Sequence, residues 1–435
     1  MSMCHKTLRL FVATACLISS ASLNAQLTLE QCRTLAEQNH PLIRRNEWIR
    51  QTEAVTLDNI ARDRLPRIVL SAKSTFQSDV PTLPSAFRSV VGATDGSALR
   101  GMARDQYQLG VNIEQDLYDG GNMAARREEA RASAEAERQR VTVEFHVLRG
   151  RVDQLFFGLL LLDEQAEIHR LHHVLLTDHL RKAESLLQRG VVSESEVLML
   201  RAERLAVGSA ERAVRMRREG LSRVLSHFVG KTMSDPLVLV KPPAPANDIA
   251  LSEAPEERLL LLRKNVVEAR RSLLRAARRP RIGIFAQGWY GYPGLNLFDD
   301  MLSRSWSLNG MVGFKLTWNL SSLYNYRSAQ ARLDVSLRET DIERECFRFE
   351  REGRRLREQS EVEERRRRLA DDEEIIALRR EVRKHTERKM ERGVVDLNAL
   401  VQDLTLEHRA LAERALHEIE YLSAIYQLRH TCSHE

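Results

Sequence analysis

Apolar residues recur along the chain in two rhythms. Tyr107, Leu109, Val111, Ile113 and Leu117 alternate with Gln108, Gly110, Asn112, Glu114 and Asp116. Leu308, Val312, Phe314, Leu316 and Trp318 alternate in the same way with Ser307, Met311, Gly313, Lys315 and Thr317. A period of two belongs to a strand with unlike faces. Two less regular runs, starting at Ile68 and Ile282, each follow a proline closely, a position a strand's beginning tolerates. The pattern therefore predicts strands over 66–76, 106–118, 280–292 and 306–319, forming two hairpins. The stretch from Ser78 to Arg104, rich in Pro, Gly, Ser and Thr, is expected to be the larger external loop.

Everywhere else the rhythm is helical. From Asp119 to Arg189 no proline interrupts the chain, so a continuous helix there would extend roughly 105 Å at about 1.5 Å per residue. Leu176, Leu180, Ala183 and Leu187, and later Leu397, Leu400, Leu404 and Leu411, form the narrow stripes of helices packed lengthwise. Helices are expected over 28–64 and 253–278, with helical hairpins over 119–230 and 320–430. The hairpins turn at glycine: Gly190 and Gly393 supply a permissive backbone, and Ser193 or Asp396 can cap the returning helix.

The sequence also repeats itself. Arg189-Gly190-Val191-Val192 returns 203 residues later as Arg392-Gly393-Val394-Val395, and the same offset aligns Gly110-Val111-Asn112-Ile113 with Gly313-Phe314-Lys315-Leu316. Leu65-Pro66-Arg67-Ile68 matches Arg279-Pro280-Arg281-Ile282 at an offset of 214. Two repeats, 26–240 and 253–435, are read as copies of one unit. They are joined by the linker 241–252, where Pro242, Pro243 and Pro245 sustain neither helix nor central strand.

The N-terminus reads as an export signal. Lys6 and Arg9 precede an apolar run from Leu10 to Ala21, too short to span a bilayer as a helix, and Ala25 suits a cleavage site. The expected mature chain begins near Gln26. Cys16 follows Ala13-Thr14-Ala15, which lacks the apolar residue a lipid-attachment site wants.

Composition removes several functions. The net charge of +6 is small beside 67 basic and 61 acidic residues, and these are interspersed, so nucleic-acid binding is not indicated. Arg365 to Arg368, for example, are flanked by Glu361, Glu363, Glu364, Asp371 and Asp372. Cys32, Cys346 and Cys432 are far apart and spell neither a disulfide framework nor a metal knuckle. His169, His172 and His173 share a helical face but lack a completing Cys or carboxylate, so no metal and no cofactor is expected. No nucleophile elbow, phosphate loop or HExxH motif is present, which argues against an enzyme.

Four strands cannot close a barrel, since even small barrels need about eight. Several chains must therefore share one. Three of the four tryptophans, Trp289, Trp306 and Trp318, lie with Tyr107, Tyr290 and Tyr292 in the strand regions, as in the aromatic girdles of an outer-membrane barrel. An exported structural coiled-coil protein is the alternative, but it leaves the strands and aromatics unexplained.

Leu27-Thr28-Leu29-Glu30, followed by Leu35-Ala36-Glu37-Gln38-Asn39-His40-Pro41, resembles the opening of TolC-like outer-membrane efflux proteins. Leu117-Tyr118-Asp119-Gly120-Gly121 resembles their strand-to-helix junction, and the two Gly-Val-Val turns resemble their helical tips. The resemblance implies a mainly α fold with β: long helical hairpins forming a periplasmic α-barrel, and four strands per protomer in a trimeric, twelve-stranded transmembrane β-barrel. It implies the outer membrane of a Gram-negative bacterium and a role as the exit duct of a tripartite efflux or type I secretion system. The implied partners are two further copies, outer-membrane lipid, a periplasmic adaptor (membrane fusion) protein and an inner-membrane RND or ABC transporter. Gly190, Val191, Val192, Ser193, Gly393, Val394, Val395 and Asp396 are the candidate adaptor contacts. Glu196 falls where related channels carry an acidic gate residue, although its counterpart in the second repeat is Ala399.

Overall fold

The computed structural model describes residues 27–82, 101–190, 193–230, 238–245, 252–392, 394–395 and 397–432. The expected signal segment and most of the 78–104 loop lie outside these residues. In chain order the elements are α1 (Leu29–Asn39), α2 (Ile43–Arg62), β1 (Arg67–Phe76), β2 (Asp105–Tyr118), α3 (Asn122–Gln188) and α4 (Glu194–Val229). There follow α5 (Pro255–Ala276), β3 (Arg281–Tyr292), α6 (Leu297–Ser303), β4 (Ser307–Thr317), α7 (Ser321–Glu391) and α8 (Leu397–Cys432).

The proline-free stretch after Asp119 forms the single long helix α3. Asp119 starts it by accepting hydrogen bonds from the amides of Gly121 at 2.9 Å and Met123 at 2.6 Å. Over 28–64 two helices form, because Pro41 forces His40 into an extended conformation (φ −70°, ψ 133°). One feature differs from expectation. The short α6 lies between β3 and β4, started by Asn296, whose side chain accepts from the Asp299 amide.

The described chain divides into two compact units, and each draws on both halves of the sequence. The first comprises the described residues within 1–44, 142–255 and 348–435. Its core contains Phe156, Phe157, Leu159, Val152, Leu225, Ile419 and Cys32, all at most 2% exposed. A capping box at Thr28 and Gln31 sets the start of α1, and α1 packs on α4. Arg33 grips Asp153 with two hydrogen bonds, Nε to Oδ1 at 2.7 Å and Nη2 to Oδ2 at 2.6 Å. Arg351, 5% exposed, donates to the carbonyls of Thr431, Cys432 and Ser252. It thereby satisfies acceptors that the end of α8 would otherwise leave bare.

The second unit comprises residues 45–141 and 256–347 and contains the sheet. Cross-helix ion pairs such as Arg138–Glu53 at 2.8 Å and Lys264–Asp341 at 2.9 Å tie its helices. Among the described residues no helix is long and apolar enough to cross a membrane.

Candidate functional site

The strands form one antiparallel sheet in the order β1-β2-β3-β4, so β1 and β4 are open edges. Residues paired across strands share a face, and the registers sort the sheet into two unlike surfaces. On one face, Ile68, Leu70 and Ala72 meet Ile113, Val111 and Leu109. Those continue into Ala286, Gly288 and Tyr290, and these into Val312, Gly310 and Leu308. Phe314 and Leu316 complete this face beside Ile284 and Ile282. It is apolar except for Gln115 beside Ile284 and Ser74 beside Tyr107, and uncovered within the chain: Leu308, Val312 and Phe314 are 81–83% exposed.

The opposite face is mostly polar. In register, Arg67 lies opposite Glu114, Lys73 opposite Gln108, Asn112 opposite Gln287, and Asp116 and Lys315 both opposite Gly283. Lys315 Nζ lies 3.1 Å from Glu114 Oε1. Near the helical end of this face Arg67, Glu114, Asp116, Arg281, Lys315 and Thr317 contribute to the lining of a cavity of about 750 Å³.

Aromatic residues mark both ends of the apolar face. At the loop end Trp306 stacks on Tyr107 at 6.2 Å between ring centroids and lies 5.4 Å from Tyr290. At the helical end stand Tyr118 and Trp318, 45% and 53% exposed. Two of the expected girdle residues are placed elsewhere. Trp289 falls on the polar face because its register partners are Gly110 and Asn309, and its indole N–H donates to the Pro293 carbonyl. Tyr292 is 3% exposed, and its hydroxyl donates to the Asp300 carbonyl and accepts from the Ala103 amide.

At the first helical tip Gly190 adopts φ +72°, and a Cβ added there would meet nothing within 4 Å. Ser193, exposed, immediately precedes α4, and Glu196 lies in the first turn of that helix. At the second tip Val394 is 70% exposed and its amide donates to the Lys389 carbonyl at 2.9 Å. Val395 is half-buried. Val191, Val192, Gly393 and Asp396 lie outside the described residues.

A surface that the sequence reading passed over lies on α7. Val335, Ile342, Phe349 and Leu356 recur every seventh residue and are 62%, 59%, 83% and 55% exposed. The heptad spacing was the available signal, diluted by the many charges between its members.

Among the described residues no group of three or more His, Cys, Asp or Glu is placed to hold a metal ion. Burial pushes the Cys32 thiol up to about 11, which makes it an inert core residue rather than a nucleophile.

Residues 32–222 match the family of outer membrane efflux proteins. No curated protein matches the chain. Among solved structures, the outer-membrane channel OprN is 16% identical with a TM-score of 0.65, over 93% of this chain and 89% of that one. VceC from Vibrio cholerae is 14% identical with a TM-score of 0.63, over 92% and 94%. The MtrE outer membrane channel of Neisseria gonorrhoeae, solved in an open state, is 12% identical with a TM-score of 0.62, over 92% and 88%. The chain thus resembles the outer membrane efflux proteins in sequence over residues 32–222, and over nearly its whole length it has the fold of these solved outer-membrane channels.

Proposed function

We propose that three copies of this chain form an outer-membrane exit duct that passively conducts solutes delivered through a periplasmic adaptor by an inner-membrane RND or ABC transporter. The observation that carries this reading is the sorting of the sheet into an apolar and a polar face, with aromatic residues at both ends of the apolar one. From Tyr107 to Tyr118 the strand advances roughly 37 Å at about 3.4 Å per residue. At a tilt of about 45° that is close to the roughly 25 Å apolar band of outer-membrane barrels. An apolar face of this height suits lipid, and the polar face then lines water.

The open edges β1 and β4 supply the reason for assembly, because unpaired strand edges are satisfied by closing a barrel with other copies. Three copies give twelve strands. The exposed heptad residues on α7 supply an apolar seam for lengthwise packing between copies. The two halves of the chain are read as descendants of one duplicated unit, each contributing a strand hairpin and a helical hairpin. The turns at Gly190 and Val394 are the surfaces offered to an adaptor, and Glu196 is the candidate gate residue.

The test is extraction of membranes in mild detergent, with mass determination of the intact complex and planar-bilayer recording of the purified protein. A mass of three protomers, outer-membrane fractionation and stepwise conductance are expected. A soluble monomer would overturn the reading and favour an exported coiled-coil protein.

A further inference from the structure

We propose that the helix-proximal end of the sheet's polar face is an anion-selecting band, with Arg67 and Arg281 as its selecting groups and Lys73 extending it toward the loop end. This rests on the channel reading, which makes the polar face the wall of the lumen.

The polar face carries four cationic side chains, Arg67, Lys73, Arg281 and Lys315, against two carboxylates, Glu114 and Asp116. Lys315 is neutralised by Glu114, its Nζ at 3.1 Å. Among the described residues no ion pair is formed by Arg67, Lys73 or Arg281, which leaves three cations facing one carboxylate in every copy. The other charges lining the cavity are engaged locally. Arg126 pairs with Asp63, Arg62 with Asp58 at 2.7 Å, and the Asp119 carboxylate caps α3.

Position gives this excess its effect. Arg67 opens β1, Arg281 opens β3, and Lys315 stands near the end of β4, so all three fall where the strands meet the helices. A solute leaving the helical part of the duct must pass them to enter the barrel. Rings of like charge in a confined pore attract counter-ions and repel co-ions, and Arg or Lys rings do so for anions. Arginine adds a second discrimination, because its planar fork binds carboxylate and phosphate oxygens in pairs. The class of solute favoured is therefore anionic, bearing carboxylate or phosphate groups.

The test measures reversal potentials of the purified full-length protein in neutral-lipid planar bilayers under a steep KCl gradient. Wild type is compared with the double variant Arg67→Gln/Arg281→Gln, the conservative double variant Arg67→Lys/Arg281→Lys, and Lys73→Gln. All the substituted side chains are exposed, and an unchanged oligomer mass verifies assembly. The expected result is a shift toward cation preference in the Gln double variant, a smaller shift in Lys73→Gln, and none in the Lys double variant. An unchanged reversal potential in the Gln double variant, with conductance intact, overturns the band and leaves the channel reading standing. Absence of conductance from wild type overturns both.

Discussion

Lys315 reaches across β3 to place its Nζ 3.1 Å from Glu114 Oε1, and the β3 residue opposite Lys315 is Gly283, which presents no side chain in the way. The two charged residues come from different halves of the sequence, so the contact joins the second strand of one hairpin to the last strand of the other.

The pair and the glycine contribute unequally. Lys315 and Glu114 are each about half exposed, so their attraction is screened and contributes at most about 1 kcal/mol. A Cβ on Gly283 would lie 2.7 Å from the carbonyl oxygen of Gln115, a clash with backbone rather than with a movable side chain. Gly283→Ala is therefore expected to lower the temperature at which the oligomer dissociates in detergent far more than Lys315→Gln. Equal shifts would mean that the ion pair, not the close strand approach, holds this junction.

The face assignment predicts an asymmetry between residues only one position apart. Val312→Arg places a charge in the middle of the apolar face, where such a substitution costs about 2–4 kcal/mol in an outer-membrane barrel. Met311→Arg places the same charge on the polar face. Outer-membrane fractions from cells expressing each variant should show loss of heat-modifiable oligomer for Val312→Arg and its retention for Met311→Arg. The reverse order would turn the sheet inside out.

At the tips, Gly190 holds a left-handed conformation in open space, so replacement meets no neighbour and costs only backbone strain, about 1 kcal/mol. Gly190→Val should leave oligomer assembly unchanged while reducing co-purification with a crosslinked periplasmic adaptor. Val394→Asp, altering an exposed side chain, should do the same without touching the backbone. Full adaptor capture by both variants would remove the tips from the proposed contact surface.

Much of this architecture was legible because it rests on local signals. Alternation at Tyr107 to Leu117 and at Leu308 to Trp318 specified strands, and the absence of proline after Asp119 specified one long helix. Pro41 was equally visible, and its effect on His40 is what divides α1 from α2. Placement on a face was harder. Trp289 shares its neighbourhood in sequence with Tyr290, yet one residue's difference in register puts them on opposite surfaces. Least legible were contacts between distant residues: Arg33 and Asp153 are 120 positions apart, and neither has a local pattern that announces the other.

The C-terminal end of α8 holds a group that ties stability to pH. The His430 ring stacks on His146 with centroids 3.9 Å apart, and a Cβ on Gly150 would lie 2.8 Å from its Nε2. Burial, then the neighbouring His146, Arg33, Arg149 and Arg354, lower its pKa from 6.5 to about 4. The folded state therefore holds His430 neutral at pH values where the unfolded chain would protonate it. Folding stability should fall as pH drops from about 6.5 and level off below about 4, a loss of up to about 3 kcal/mol over that window. His430→Gln, which cannot titrate, should flatten this part of the pH dependence, measured as the midpoint of thermal dissociation between pH 7 and pH 4. A slope as steep in His430→Gln as in wild type would assign the acid sensitivity to other groups, with the Arg33–Asp153 pair the next to test.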